Sequence, residues 1–318
     1  MVLFILYNSR QLHQADTPGE MVGMSELKWY WDRRPAVPLR QPAELEPLAL
    51  PGGQTLLAHH VPTSLAGRPV LVLHGIQSHP LWFLASADAL AARGHDVYQL
   101  QRRGSGQSPA GRGHARSARQ LMADLDAAVQ YVLARSGADA LHLVGISWGG
   151  KYAACYALDR ARAARLAGLT LVASGIVPRV DLSRRQKALV GLCALAAPRR
   201  TFAIPLNDPA LFTDNPVWQA YIRDDPYRLH RVTAGFLLAS RRMDRRLAAA
   251  APGSLALPVT LILAGRDRII DNARTRAALE RLAGKRLRVC ELDGAHTLEF
   301  EEDPKPLLEV IIVSVAKT

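Results

Sequence analysis

Cysteine is scarce in this chain: Cys155, Cys193 and Cys290 are the three among 318 residues. The count is odd and no C-x-x-C occurs, so neither a disulfide framework nor a zinc spacing is present. A reducing cytoplasm is the expected setting. Aromatic residues are few, at 6 %, and no Lys/Arg block alternates with them, although the net charge is +12. A basic balance can favour acidic partners, but without a binding motif no nucleic-acid partner is expected. Lysine is also rare, six residues in a Lys-plus-Arg total of 40. Long apolar runs are missing. "ALVGLCALAAP" is too short to span a bilayer, and "MVLFILYNSRQ" has no basic n-region and too brief an apolar run for a secretory signal. Met21 and Met24 are alternative starts.

What is present is alternation. After a polar, Pro-rich arm over 1–43, "EPLAL" and "QTLLAHHV" flank Pro51-Gly52-Gly53 and read as a hairpin. "RPVLVLHG" reads as a buried strand, 79–93 as a helix, and 95–108 as a strand entering a Gly-rich loop. Residues 117–137 form an amphipathic helix with a glycine stop. Strands follow at "ALHLVG" and 166–174, with a helix between them. Residues 175–256 break the pattern and read as mostly helical. Alternation resumes with "VTLILAG", a helix at 271–284, "RLRVCEL" and a helix at 303–316. Such alternation predicts a mostly parallel sheet with helices on both faces. The domains are therefore a core over 44–174 and 257–318, with a helical lid over 175–256 inserted between two strands.

Chemistry enters at "LHLVGISWGGKYAAC" (141–155), where Gly145-Ile146-Ser147-Trp148-Gly149 fits G-x-S-x-G. A turn is the plain reading of such residues. In a nucleophile elbow, however, the serine sits on a strained strand-to-helix turn, with an acid and a histidine downstream in that order. A serine hydroxyl needs a base, and a histidine base needs a carboxylate to orient it. Asp267 follows an apolar strand in "LILAGRDRII", and His296 lies past the last strand in "RVCELDGAHTLEF". Asp267 could equally pair with Arg266 or Arg268. Asp271 is a rival acid, but it stands where a helix N-cap belongs. Asp293 suits turn chemistry. For an oxyanion the donors are the backbone N–H of Trp148 and one from the loop "LHGIQSHPLWF", where Ile76 is the candidate. His74 is assigned to closing that loop.

The ordered motifs "HGIQSHPLW", "QRRGSGQS", "GISWGG", "AGRD" and "DGAHTLEF" resemble the α/β-hydrolase superfamily over about 45–174 and 257–310. The resemblance implies an α/β-hydrolase fold and a serine hydrolase. Gln101 stands where the superfamily's D-x-R-G-x-G-x-S loop usually has Asp, a loop that is structural in the family. Serine rather than aspartate at 147 argues against a haloalkane dehalogenase. The lid resembles the caps of bacterial lysophospholipases and monoacylglycerol lipases, which implies an apolar acyl pocket. Phe212, Trp218, Tyr221 and Phe236 are the substrate-binding candidates, with Phe202, Leu211 and Leu237 beside them.

The expected function is hydrolysis of a carboxylic ester, a lysophospholipid or monoacylglycerol, through Ser147, His296 and Asp267. No metal or organic cofactor is needed. Residues 175–256 carry 13 Arg and Lys against 6 Asp. Arg184, Arg185 and Lys187 precede the apolar run, so peripheral contact with an anionic membrane is an expectation beside the plainer solvated face. Acyl transfer, peptidase and C–C hydrolase chemistry can use the same triad. A non-enzymatic receptor would be favoured by a missing triad member, and none is missing.

Overall fold

The computed structural model describes residues 44–49, 55–108 and 111–318. The arm over 1–43 and the Pro51–Gly53 turn lie outside the described residues. Strands β1 (Glu44–Ala49) and β2 (Thr55–Val61) pair antiparallel, with Leu48 opposite Leu56. Then β3 (Val70–Leu73) leads through a 3-10 turn at Pro80–Phe83 to α1 (Leu84–Ala91) and β4 (Val97–Gln101). Helix α2 (Ala118–Ser136) starts where the Ser117 hydroxyl accepts from the Gln120 N–H and stops at Gly137, whose φ is 68°. Strand β5 (Leu141–Ile146), α3 (Trp148–Ala157), the short α4 (Arg160–Ala163) and β6 (Leu166–Val172) follow.

Between β6 and the next core strand come α5 (Arg184–Ala196), β7 (Thr201–Ala203), α6 (Pro216–Asp224), β8 (Arg231–Thr233) and α7 (Ala234–Ala249). The mostly helical reading is incomplete here. Phe202 lies opposite Val232 in a separate antiparallel pair of β7 and β8. Three residues are too few for a period to show, and each segment is a strand only because the other lies beside it. The core closes with β9 (Val259–Ala264), α8 (Asn272–Ala283), β10 (Leu287–Leu292) and α9 (Lys305–Ala316). Among the described residues no helix is long and apolar enough to cross a membrane.

The main sheet runs β1-β2-β4-β3-β5-β6-β9-β10, parallel from β4 to β10. This is the α/β-hydrolase fold. All six residues of β5 are buried, as a parallel strand covered on both faces requires. Helices α1 and α9 pack together against the sheet, while α2 and α3 pack with α7 of the insert. The order places the site. From β3 the chain moves to β4 on one side and returns to β5 on the other. The carboxyl ends of β3 and β5 thus flank a switch point, where open sheets of this kind bind ligands.

The Gly-rich loop after β4 is anchored by one ion pair. Arg103 Nε and Nη2 donate to Asp124 Oδ2 and Oδ1 on α2 at 2.7 and 2.6 Å, and both residues are buried. With Gln101 in place of an acid, this fork is the loop's charged tie to α2, beside the hydrogen bonds of Arg102 and Ser105 to the loop after β3. Asp124→Ala removes the acceptor from a buried guanidinium and is expected to cost about 3–5 kcal/mol in a urea unfolding experiment. A loss under about 1 kcal/mol would mean the pair contributes no more than a surface one.

Candidate active site

Ser147 bridges β5 and α3 with φ 53° and ψ −122°, a backbone that residues with a side chain rarely adopt. Such a residue costs on the order of 1–3 kcal/mol and persists only where its surroundings over-determine it. Here the Ser147 N–H donates to Val172 O at 2.9 Å, and its carbonyl accepts from Gly150 N–H at 2.9 Å and Gly175 N–H at 2.7 Å. The motif glycines serve close approach. A Cβ on Gly145 would stand 2.6 Å from both Gly149 O and Gly150 Cα, and one on Gly149 would strike the Leu73 carbonyl.

The downstream partners reach this turn. His296 Nε2 lies 2.9 Å from Ser147 Oγ, and His296 Nδ1 lies 2.8 Å from Asp267 Oδ2. A carboxylate only accepts, so Nδ1–H donates to Asp267, which leaves Nε2 to accept the serine proton. Asp267 Oδ1 accepts the amides of Ile269 and Ile270 at 2.8 and 2.9 Å. Burial would raise the Asp267 carboxyl. The facing His296, its hydrogen bond and the two amides outweigh burial and hold the group below its ordinary value of 3.8. Arg266 and Arg268 do not take Asp267; they pair with Asp214, and Arg266 also with Asp293 and Glu301. Asp271 caps α8 by accepting from the Arg274 N–H at 3.0 Å. The Glu299 carboxylate ties the His296 loop to the first turn of α1, accepting from the Ala85 and Ser86 amides at 2.7 and 3.2 Å.

Ile76 and Trp148 meet Ser147 from two sides. All three line one cavity, and among the described residues neither the Ile76 nor the Trp148 amide is used in a hydrogen bond. His74 holds the loop, with Nδ1–H donating to Gly75 O at 2.8 Å and Nε2 accepting the Arg102 N–H at 3.2 Å. Burial, then the Arg102 charge, pushes its ring well below the ordinary 6.5, so it stays neutral. The sequence reading missed Arg102. Its guanidinium donates to Ile76 O at 2.9 Å and lies 5.0 and 4.8 Å from the ring centres of Trp148 and Phe236. Burial lowers its pKa only to about 10, so it remains a cation.

The four aromatic candidates divide. Phe212 is at the site, its ring edge-on to His296 at 6.0 Å. Trp218 stacks on Phe300 at 4.0 Å, and Tyr221 packs edge-on to Trp82, Trp218 and Phe300. Phe236 lies fully buried against Trp148 at 5.0 Å. None of these last three lines either cavity at Ser147. Trp218, Tyr221 and Phe236 are the large aromatic side chains of helices α6 and α7, and all three are buried in the core. The larger cavity, about 430 Å³, is walled instead by aliphatic residues including Leu182, Val190, Leu206, Leu237, Ile269 and Ile270. One edge is charged. Lys151, buried on α3, pairs with Asp244 of α7 at 2.6 Å; Lys187 pairs with Asp181, and Arg241 and Arg245 stand alongside. Lys151 sits one turn beyond Ser147 in an alanine-rich helix, and only the fold reveals its partner. Among the described residues no group of three His, Cys, Asp or Glu is placed to hold a metal.

A family model described as serine aminopeptidase, S33, matches residues 67–303. A carbamate-hydrolase candidate, RutD, of Variovorax paradoxus (strain S110) is 32 % identical over 133 residues; these are 42 % of this chain and 48 % of that protein, so the match spans about half the relative's length. A monoacylglycerol lipase of Paleococcus ferrophilus superposes with a TM-score of 0.73 at 22 % identity, over 82 % of this chain and 98 % of that one. A soluble variant of the monoglyceride lipase of Saccharomyces cerevisiae, bound to a substrate analogue, gives 0.79 at 16 % identity, over 90 % and 98 %. These two likenesses establish the fold.

The depressed Asp267 carboxyl sets a pH dependence. Its ionised form stabilises the fold fully above the ordinary 3.8, and that contribution is lost as pH falls below it and through the depressed value of the folded protein. Buried Asp225 has the same sign: burial raises its carboxyl, and the facing His79 with the His79 and Trp82 hydrogen bonds lowers it further. Urea midpoints are expected to fall between about pH 5 and pH 3, less steeply in Asp267→Asn than in wild type. Equal slopes would show that the Asp267 carboxylate contributes nothing.

Proposed function

The chain belongs to the family described as serine aminopeptidase, S33, among the α/β-hydrolases, and from that premise we propose that this serine-type hydrolase cleaves carboxylic esters with Ser147 as nucleophile. The observation that carries the reading is the hydrogen-bonded row Ser147–His296–Asp267, 2.9 and 2.8 Å, opening on an aliphatic cavity. Ser147 Oγ attacks the ester carbonyl as its proton passes to His296 Nε2. Asp267 keeps His296 in the accepting tautomer and stabilises the imidazolium. The amides of Ile76 and Trp148 receive the oxyanion, each worth about 2.7–4 kcal/mol by the cost of losing one such donor. His296 then protonates the departing alkoxide, and water resolves the acyl-enzyme with His296 again as base.

The substrate class is an apolar acyl ester, a lysophospholipid or a monoacylglycerol. A cavity of about 430 Å³ has the size of a small-molecule site, and its aliphatic walls suit an acyl chain. Residues 175–256 serve as the lid of a core formed by 44–174 and 257–318, since α5 and α7 lie between β6 and β9 and supply Val190, Leu237 and Lys151's partner. The charged edge favours the lysophospholipid of the two. Among the described residues that line the cavity, Lys151, Lys187, Arg241 and Arg245 stand with two acids, Asp181 and Asp244. Those acids also argue against the peptidase alternative. A site that grips a substrate's amino terminus needs a carboxylate to spare, and both are already paired with lysine. Acyl transfer remains the same chemistry with another acceptor. Three unpaired cysteines fit a reducing cytoplasm, and peripheral membrane contact fits Leu192 and Leu195, exposed on α5 behind Arg184, Arg185 and Lys187.

On p-nitrophenyl esters from acetyl to palmitoyl, wild type is expected to turn over a preferred chain length and Ser147→Ala to lose the activity by about 10⁶-fold. Full activity in the variant would refute the mechanism. For substrate charge, an anionic ester is expected to be favoured over a neutral ester of equal chain length, with the preference shrinking as salt rises. Equal turnover of both at all salt concentrations would remove the lysophospholipid assignment and leave the ester reading intact.

A further inference from the structure

Gln77 follows Ile76 in the loop after β3 and is buried. Its backbone carbonyl accepts the Leu229 N–H at 2.9 Å. Its side-chain Oε1 accepts two donors of a single guanidinium, Arg228 Nη2 at 2.9 Å and Nε at 3.2 Å. Arg228 is itself buried and held by the carbonyls of Leu206, at 2.6 Å, and Ile222, at 3.3 Å. A guanidinium only donates. It therefore fixes which end of the Gln77 carboxamide is oxygen and turns the NH₂ end away. Among the described residues that buried NH₂ has no acceptor. Buried donors are nearly always matched, so this one calls for an occupant.

Gln77 lines a small void of about 10 Å³, shared with Ser147, His296, Ile76 and Phe212 but not with Trp148. That is space for a single water, at about one water-sized probe. His296 lines this void together with Ser147, so a water in it is within reach of the base.

We infer that this void seats the water that resolves the acyl-enzyme, and that Gln77 Nε2 donates a hydrogen bond to it. The inference rests on the ester-hydrolase reading. The bonding balances. The water donates one O–H to His296 Nε2 and accepts from Gln77 with one lone pair, which leaves the other lone pair to attack the acyl carbon. As the new C–O bond forms, the proton passes to His296. When the tetrahedral species collapses, the bond to Ser147 Oγ breaks and Oγ takes that proton; the second hydrogen stays on the product acid. Arg228 is a positioning residue that acts through Gln77.

The test separates the two chemical steps. Pre-steady-state release of p-nitrophenol reports acylation, and intact mass counts the acyl-enzyme at Ser147. In Gln77→Met, which also takes an acceptor from buried Arg228 and is expected to lower Tm, acylation by the folded protein is expected to hold while deacylation slows about tenfold, the scale of one lost neutral hydrogen bond. Acyl-enzyme then accumulates. Gln77→Glu keeps an acceptor for Arg228 while removing the donor, and is expected to slow deacylation as well, which covers the case in which the methionine variant folds poorly. Deacylation at the wild-type rate in either folded variant overturns the inference, as does an equal fall in both steps. A wild type that never acylates at Ser147 overturns the ester-hydrolase reading and this inference with it.

Discussion

The positive φ of Ser147 is the constraint on which the rest of the site depends. A serine there is strained, and the strain is what lifts Oγ out of the path from β5 into α3. Three backbone hydrogen bonds, one donated to Val172 O and two accepted from the Gly150 and Gly175 amides, over-determine the turn. Two of those partners belong to β6 and the residues just beyond it, so the elbow is completed by the neighbouring strand's pairing with β5. The glycines at 145 and 149 matter for the same reason: the turn is tight enough that any side chain there would meet backbone.

Around that turn the protein uses charge where an apolar core would be simpler. Arg102, Arg228, Lys151, Asp225 and Asp267 are all buried. Each is matched by carbonyls, amides or an opposite charge, as burial demands. Their placement is uneven. Arg102 binds the carbonyl of Ile76, Arg228 binds the side chain of Gln77, and Asp225 takes both His79 Nε2, at 2.8 Å, and Trp82 Nε1, at 2.7 Å. The loop from Ile76 to Trp82 is therefore held by fixed polar contacts, several of them from a short stretch of the insert, Asp225–Leu229. Directional contacts position a loop more narrowly than non-directional packing, which suits the proposed role of the Ile76 amide as an oxyanion donor.

Much of the fold was legible in the order of the residues because its signals are local. Apolar runs ending in glycine mark β3 and β5, a serine cap and a left-handed glycine bound α2, and Asp271 declares itself as a cap by standing just ahead of α8. The elements of the insert were harder. Strands β7 and β8 are three residues each and carry no period. Their identity rests on meeting each other across some thirty residues.

The sequence by itself determined the order serine, acid, histidine, the strand and helix preceding and following each, and hence the switch point at which they converge, because spacing and periodicity are properties of neighbouring residues. Only the tertiary structure decided what surrounds them. It turned Trp218, Tyr221 and Phe236 into core and gave the cavity aliphatic walls, paired Lys151 with Asp244, and joined Gln77 to Arg228 across 151 positions. Burial and hydrogen-bond partnership depend on which distant segment comes to lie alongside, and no local pattern encodes that neighbour.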